Sequence, residues 1–274
     1  MDTNAVEQAP VALVTGAGRG IGRAIGIRLA RDGHRVGLVS RSAAELAETA
    51  ELVAAAGSMA LPLPGDVTEP ADVDRVCGLV EQRWGPIDLL VNNAAYFGDI
   101  GSFLTTDPAR WWRVLETNVR GPALLDHRVL PGMVARGRGR VITMSSLAAN
   151  QDDPVTPSSA YSVSKTAALR LDAILASELA DTGVRVFSLS PGLVRTRMSE
   201  LRPDIDDIAP QSFVAPEVAA GQVAALASGR YDLLHGRFLH VRDDLDALLV
   251  AIAGQPAARV LALRPVAPVD AVLG

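Results

Sequence analysis

Val11-Ala12-Leu13-Val14-Thr15-Gly16-Ala17-Gly18-Arg19-Gly20-Ile21-Gly22 is the stretch that decides the fold. Its first four residues are all apolar, as expected of a parallel strand buried on both faces. The chain then enters a glycine turn. Beyond it Ile21, Ala24, Ile25, Arg28 and Leu29 set a helical period that stops near Gly33. Strand, glycine turn and helix together make a seat for phosphate. Glycines let the backbone turn tightly and let the anion come close, and the helix start offers free N–H groups and partial positive charge. The spacing is G-x-x-x-G-x-G rather than G-x-G-x-x-G. A purely structural turn has the same composition, but placement directly after the first buried strand points to a dinucleotide. Gly16, Gly18, Arg19, Gly20, Ile21 and Gly22 are therefore candidate cofactor-binding residues.

Val36 to Val39 reads as the second strand. An NAD site places an acidic residue near the end of this strand to hold the ribose 2′-hydroxyl. Here Ser40 and Arg41 stand in that place, and Arg19 is a second cation nearby. Two guanidinium groups and no carboxylate favour a 2′-phosphate, hence NADP(H) over NAD(H). The competing reading is that both arginines are solvated loop residues. A helix follows over 43–56, then a third strand over 59–63. Asp66-Val67 comes at its C-terminal side, where ligands of open α/β sheets bind. Asp66 has two readings, acceptor for an adenine amine or cap of the helix starting near Pro70. Helix 72–84 and a fourth strand, 87–91, lead to Asn92-Asn93-Ala94-Ala95, small residues and amides at a strand end. One or two helices are expected over 108–136. Asn118 lies inside their apolar pattern, which predicts a local bend, a bound water or a satisfied core amide.

A fifth strand, 141–144, ends in Ser145-Ser146. The segment 158–182 then reads as a helix, with Ser158 or Ser159 as its cap and Gly183 just past its end. Tyr161 and Lys165 are one turn apart and leave the same face. The ammonium is expected to favour phenolate and to lower the phenol pKa from about 10 toward neutrality. That makes Tyr161 a candidate general acid or base. The plain alternative is an edge-packed tyrosine beside a solvated lysine. A sixth strand, 184–189, runs into Pro191-Gly192-Leu193-Val194-Arg195-Thr196. The polar segment 200–211 is a candidate lid over a substrate. Helix 216–228, a last strand near 237–241 and a short amphipathic helix over 243–252 complete the pattern.

Strands alternate with helices throughout, which predicts one α/β domain with a parallel sheet covered by helices on both faces. Its expected limits are 11–242, after a polar arm at 1–10 and before a C-terminal helix and tail at 243–274. The net charge of −5 gives no reason to expect nucleic acid or an anionic membrane surface. The one cysteine, Cys77, cannot form an internal disulfide, which fits a reducing compartment. The first ten residues do not read as a signal peptide, and no apolar run approaches membrane-spanning length. A cytoplasmic protein is expected.

Taken together, T-G-x-x-x-G-x-G at Thr15 to Gly22, N-N-A at Asn92 to Ala94, Ser146, Y-x-x-x-K at Tyr161 to Lys165 and Pro191-Gly192 resemble the short-chain dehydrogenase/reductase family in order and spacing. The resemblance spans residues from about 10 to 240. It implies a Rossmann-type doubly wound parallel sheet of about seven strands, and an oxidoreductase that passes hydride between NADP(H) and a carbonyl or alcohol substrate. It further implies Tyr161 as proton donor to the substrate oxygen, and Lys165 as the group that lowers the Tyr161 pKa and bonds the nicotinamide ribose. Ser146 would hold the substrate oxygen, with Ser145 as the alternative. Asn118 would anchor a water that links Lys165 to solvent. Asn92 and Ala94 would line the cofactor, Asp66 and Val67 would flank its adenine, and Pro191, Gly192, Val194 and Thr196 would adjoin its nicotinamide. Tyr96, Phe97, Asn150, Gln151, Leu193 and Met198 are candidates for the substrate pocket. Assembly as a homotetramer or homodimer, through the helices bearing Asn118 and Tyr161, is implied as well.

Ala95 stands where the family commonly has Gly, and the segment between Ser146 and Tyr161 is longer than usual, with Pro154 and Pro157. Two other function classes compete with the ketone reductase. One is a dinucleotide-binding sensor or scaffold without turnover. The other is an epimerase or dehydratase of the related, longer family.

Overall fold

The apolar runs become strands because helices cover both faces of the sheet they form. A computed structural model describes residues 9–150, 158–201 and 213–253. In chain order the elements are β1 Val11–Thr15, α1 Gly20–Arg31, β2 Arg35–Ser40, α2 Ala43–Ala55, β3 Ala60–Pro64, α3 Pro70–Trp84, β4 Leu89–Asn92, α4 Pro108–Leu115, α5 Gly121–Ala135, β5 Gly139–Met144, α6 Ser159–Glu178, β6 Val184–Ser190, β7 Leu193–Val194, β8 Phe213–Val214, α7 Pro216–Ala227, β9 Phe238–His240 and α8 Leu245–Ala253. Seven strands pair in the order β3-β2-β1-β4-β5-β6-β9, all parallel. The doubly wound sheet read from the sequence is present, with boundaries displaced by a residue or two. The separate parallel pair β7–β8 has no counterpart in the sequence pattern, because two-residue strands carry none. Residues 1–8 of the expected arm, the expected tail beyond residue 253, the candidate lid beyond residue 201, and Gln151, Pro154 and Pro157 lie outside the described residues.

The period-two alternation sorts each strand between two cores. Ala12 and Val14 pack with Ile25 and Leu29 of α1 and Val223 of α7. Val11 and Leu13 pack with Val76 and Val80 of α3 and Leu125 of α5. The strand order reverses between β1 and β4, so the crevice at their C-terminal ends is the place where this topology binds ligands.

That crevice is closed from below by one threonine. The Thr15 hydroxyl donates to the Val91 carbonyl at 3.3 Å and accepts from the backbone N–H groups of Asn93 and Ala94, both at 3.0 Å. The Asn93 amide returns the tie, donating to the Thr15 carbonyl at 2.8 Å. Gly22 is pressed against the same turn. A Cβ there would sit 2.2 Å from the Gly16 oxygen and 2.6 Å from the Asn93 amide nitrogen.

Helices α4 and α5 are joined by a π-helical turn at Glu116–Arg120, which holds Asn118 buried within it. The irregularity expected there takes the form of this π turn. A π turn widens the helix by one residue and turns a side chain inward that a regular helix would place elsewhere.

Gly22→Ala forces the glycine turn away from β4. We expect a loss of about 1–3 kcal/mol, measured by urea unfolding, together with loss of dinucleotide affinity. Unfolding at the wild-type midpoint would contradict the close approach.

Candidate active site

Helix α6 carries the reacting face, and three sets of bonds fix its position. The Ser158 hydroxyl caps it, accepting from the Tyr161 backbone N–H at 3.4 Å, and donates to the Phe97 carbonyl at 3.0 Å. The Asn118 amide donates to the Ser164 hydroxyl at 2.9 Å and to the Tyr96 carbonyl at 2.9 Å, and its oxygen accepts from the Tyr96 N–H at 2.8 Å. The Lys165 ammonium donates to the Met144 carbonyl at 2.7 Å. Together these fasten α6 to the ends of β4 and β5.

On that face the Tyr161 hydroxyl lies close enough to the Ser146 side chain for the two to interact. The Ser146 hydroxyl also accepts from the Ala148 N–H at 3.2 Å. Ser145 points elsewhere: it is buried, and its hydroxyl has no partner among the described residues. Of the two serines, Ser146 is the one beside Tyr161. The Phe97 ring lies 4.8 Å from the Tyr161 ring, centroid to centroid, and gives the site an apolar wall.

The expected acidic phenol needs correction. Part of Tyr161 remains accessible, yet desolvation is the largest influence on its hydroxyl and pushes it up to about 12, against the nearby Ser146 side chain, which favours phenolate. Lys165 is buried and is pushed down to about 8, while the Asp172 carboxylate acts the other way. Its ammonium nitrogen lies 5.6 Å from the Tyr161 ring centroid and is engaged with Met144. Burial dominates for both groups, over Ser146 at the phenol and over the Asp172 charge at the ammonium. Tyr161 is therefore a proton-bearing phenol at neutral pH, the form a general acid requires.

Asn118 is the satisfied core amide. Both its N–H groups and one oxygen lone pair are taken by protein, so the implied water-anchoring role falls to the remaining lone pair of its oxygen. The Asn92 side chain also turns into the core, where its amide donates to Asp126 at 2.9 Å. Its neighbour Asn93 makes the tie to the glycine turn.

The cofactor side is built from the glycine turn. Gly16 and Gly20 have φ of 63° and 54°, a conformation that costs a side-chain-bearing residue energy. No side chain caps the start of α1, so its first N–H groups are free to face an anion. Thr196 lies over the turn, its methyl 3.3 Å from where a Gly20 Cβ would be. Ile21 packs against the core below. Pro191 and Gly192 lead from β6 to β7, and Val194 is buried there. The Gly18 carbonyl is held by Arg23 at 2.6 Å and Thr49 at 3.1 Å.

Near Ser40 the sequence reading missed a carboxylate. Glu45, in the first turn of α2, lies 3.8 Å from Arg19 and 3.5 Å from Arg197. A Gly18 Cβ would touch both Ser40 and Glu45, so these groups share one pocket. Arg41 is exposed nearby. The pocket is cationic but not free of acid, and Arg197 joins it from a distant part of the chain. Asp66 does not cap α3. Its carboxylate accepts from the Thr68 N–H at 2.9 Å and the Thr68 hydroxyl at 2.8 Å, while Glu69 occupies the cap position. Val67 is buried against Gly121.

One residue below the Lys165 bond lies a polar layer that no motif announced. Asn92, Thr143 and Ser188 are register partners across β4, β5 and β6. Asn92 donates to Asp126, Thr143 donates to one oxygen of Asp172 at 2.9 Å, and Ser188 donates to the other. Asp172 stands two helical turns after Lys165, a spacing that could have revealed it. Asp126 lies within the apolar pattern of α5, where a buried acid cannot be told from an exposed one.

Comparison with known proteins is consistent with this geometry. A family model described as short chain dehydrogenase matches residues 10–205. The short chain dehydrogenase pigC of Monascus ruber is 32% identical over 244 residues, covering 86% of this chain and 80% of the relative. A single-substitution variant of actinorhodin polyketide ketoreductase, with NADPH, superposes with a TM-score of 0.79 at 31% identity, over 86% of this chain and 96% of the other. A 3-ketoacyl-(acyl-carrier-protein) reductase from Brucella melitensis, complexed with NADH, gives a TM-score of 0.79 at 28% identity, over 86% and 97%.

Burial pushes Asp126 up to about 8; at Asp172 the same burial is opposed by Ser188, Thr143 and Lys165, which favour its charged form. The folded value of Asp126 lies above the ordinary 3.8, so within that window the native chain keeps a proton that the unfolded chain has released. Stability therefore falls as pH rises through the window. The melting temperature of Asp126→Asn should decline less between about pH 5 and about pH 8 than that of the wild type. Equal declines would locate the proton elsewhere.

Proposed function

Because this chain belongs to the short-chain dehydrogenase family and is an oxidoreductase of that family, we propose that it is an NADP(H)-dependent ketone reductase with Tyr161 as the proton donor. The observation that carries the reading is the nearness of the Tyr161 hydroxyl to the Ser146 side chain, close enough for Ser146 to act on it, one helical turn from a buried Lys165. These are the three groups that carbonyl reduction needs from a protein.

The glycine turn, the uncapped start of α1 and Thr196 fit a dinucleotide. Gly16 to Gly22 would hold its diphosphate, Asp66 and Val67 would border its adenine, and Lys165 would bond its nicotinamide ribose. When bound, the nicotinamide supplies hydride to the carbonyl carbon. The protein's part is played on the carbonyl oxygen. Ser146 holds that oxygen by a hydrogen bond that strengthens as negative charge grows on it. Tyr161 delivers the proton, so the alkoxide never persists. The Lys165 charge lowers the cost of the phenolate left behind.

Arg19 and Arg41, aided by Arg197, are the groups that would read a 2′-phosphate beside Ser40. Glu45 tempers the preference, since it already neutralises part of that charge. Assembly as a homodimer or homotetramer through α4, α5 and α6 is part of the reading, supported by the outward exposure of Trp112, Val163 and Ile174. No helix among the described residues is long and apolar enough to cross a membrane. We place the enzyme in the cytoplasm, acting on a small carbonyl compound rather than on nucleic acid or lipid surface.

Tyr161→Phe should retain NADPH binding, read by nucleotide fluorescence, while kcat for ketone reduction falls by about 10²–10⁴. Full turnover in this variant would remove Tyr161 from the mechanism. Saturable NADPH binding without any ketone turnover by the wild type would mark a binding protein instead. Removing the Arg19 and Arg41 guanidinium groups together should raise the Kd for NADPH about 10- to 100-fold and leave that for NADH nearly unchanged. Parallel losses for both nucleotides would assign the arginines to the diphosphate.

A further inference from the structure

Lys165 is the only lysine in the sequence, against 25 arginines. It is buried at 4% exposure, and its ammonium donates to a neutral carbonyl, that of Met144. A buried ammonium needs a compensating charge. Two carboxylates lie in the layer beneath it, Asp126 and Asp172, exposed by 2% and 3%.

These two acids are not equivalent. Asp172 receives hydroxyl donors from Thr143 and Ser188, one on each oxygen, and is near enough to Lys165 for the two charges to act on each other. Asp126 receives one donor, the Asn92 amide. Its second oxygen and the Asn92 oxygen are both buried without a partner among the described residues. One ammonium cannot balance two carboxylates in a dry layer. The acid with donors on both oxygens and a cation nearby keeps its charge, and the acid with an orphaned oxygen keeps a proton.

We propose that Asp172 is a positioning residue for the reaction, the counter-charge that keeps Lys165 protonated from one layer below the site, and that Asp126 beside it is held as the neutral acid. The titratable groups facing the layer are Asp126 from α5, Asp172 and Lys165 from α6, and Tyr161 above. The strands present neutral Asn92, Thr143 and Ser188. The inference deepens the ketone-reductase reading, since Lys165 serves Tyr161 only while charged. It also makes a claim about Lys165 that does not depend on turnover.

The single lysine makes the test direct. Protein grown on side-chain-labelled lysine gives one NMR resonance from Lys165, whose titration midpoint can be followed in the folded chain. Asp172→Asn should lower that midpoint by about 1 pH unit or more, and should move the alkaline limb of kcat/KM for NADPH-dependent reduction the same way. Asp126→Asn should leave both nearly in place and should remove an infrared band of a protonated carboxyl present in the wild type at neutral pH. An unmoved midpoint in Asp172→Asn, or an equal fall in Asp126→Asn, overturns the assignment. Should Asp172→Asn not fold, Asp172→Ser keeps a polar partner for Thr143 and Ser188 and carries the same expectation. Failure of the functional reading looks different: Lys165→Met would then reduce ketones at the wild-type rate, whatever the midpoints show.

Discussion

A buried ammonium is expensive, and the placement of Lys165 organises the site around that expense. Its bond to the Met144 carbonyl ties α6 to the end of β5, which puts Tyr161 above Ser146 on the next residues of the same chain segment. The bond also fixes the floor. A strand ending in a hydroxyl-bearing layer rather than an apolar one lets Asp172 lie below the lysine, and the carboxylate in turn requires Thr143 and Ser188 as donors. Replacing that layer with apolar side chains would leave the charge uncompensated.

The opposite wall of the crevice depends on hydrogen bonds that cross the switch point. Thr15 ends β1 and binds the main chain after β4, and Asn93 closes the loop onto the glycine turn. These contacts join residues 76 to 79 positions apart in sequence. They hold the glycine turn and the Tyr161 face of α6 at a fixed separation, which the proposed reaction would require. Asn118 does the same for α6, spanning from the π turn to Tyr96 and Ser164.

The cationic cluster beside Ser40 illustrates how local reading misleads. Ser40 and Arg41 follow β2 directly and Arg19 lies in the glycine turn, so all three are legible as a polar, cationic group. Glu45 reads as one more acid in an Ala- and Glu-rich helix, and Arg197 as a residue of an irregular segment. Only their approach to the same space, with Arg19 and Arg197 both near one carboxylate, shows that the pocket's charge is partly balanced. Asp66 is a similar case. Its position before a helix suggests a cap, but Thr68 supplies nearer donors and takes both bonds.

The sequence by itself determined the layer architecture, the glycine turn, and Tyr161 and Lys165 as one-turn neighbours. Each is a local property: strand runs and helical periods span few residues, glycine conformation is set at a single residue, and residues four apart on a helix always share a face. The tertiary structure decided the rest. Whether a phenol is acidic or proton-bearing depends on what surrounds it in space, and here burial, rather than the lysine that the spacing emphasises, is the largest influence. The choice of Ser146 over Ser145, the inward turn of Asn92, and the pairing of Asp126 and Asp172 beneath the site arise from contacts between elements distant in sequence. No local pattern encodes which side chains will share a desolvated space, and in that space the energy of a charge is fixed.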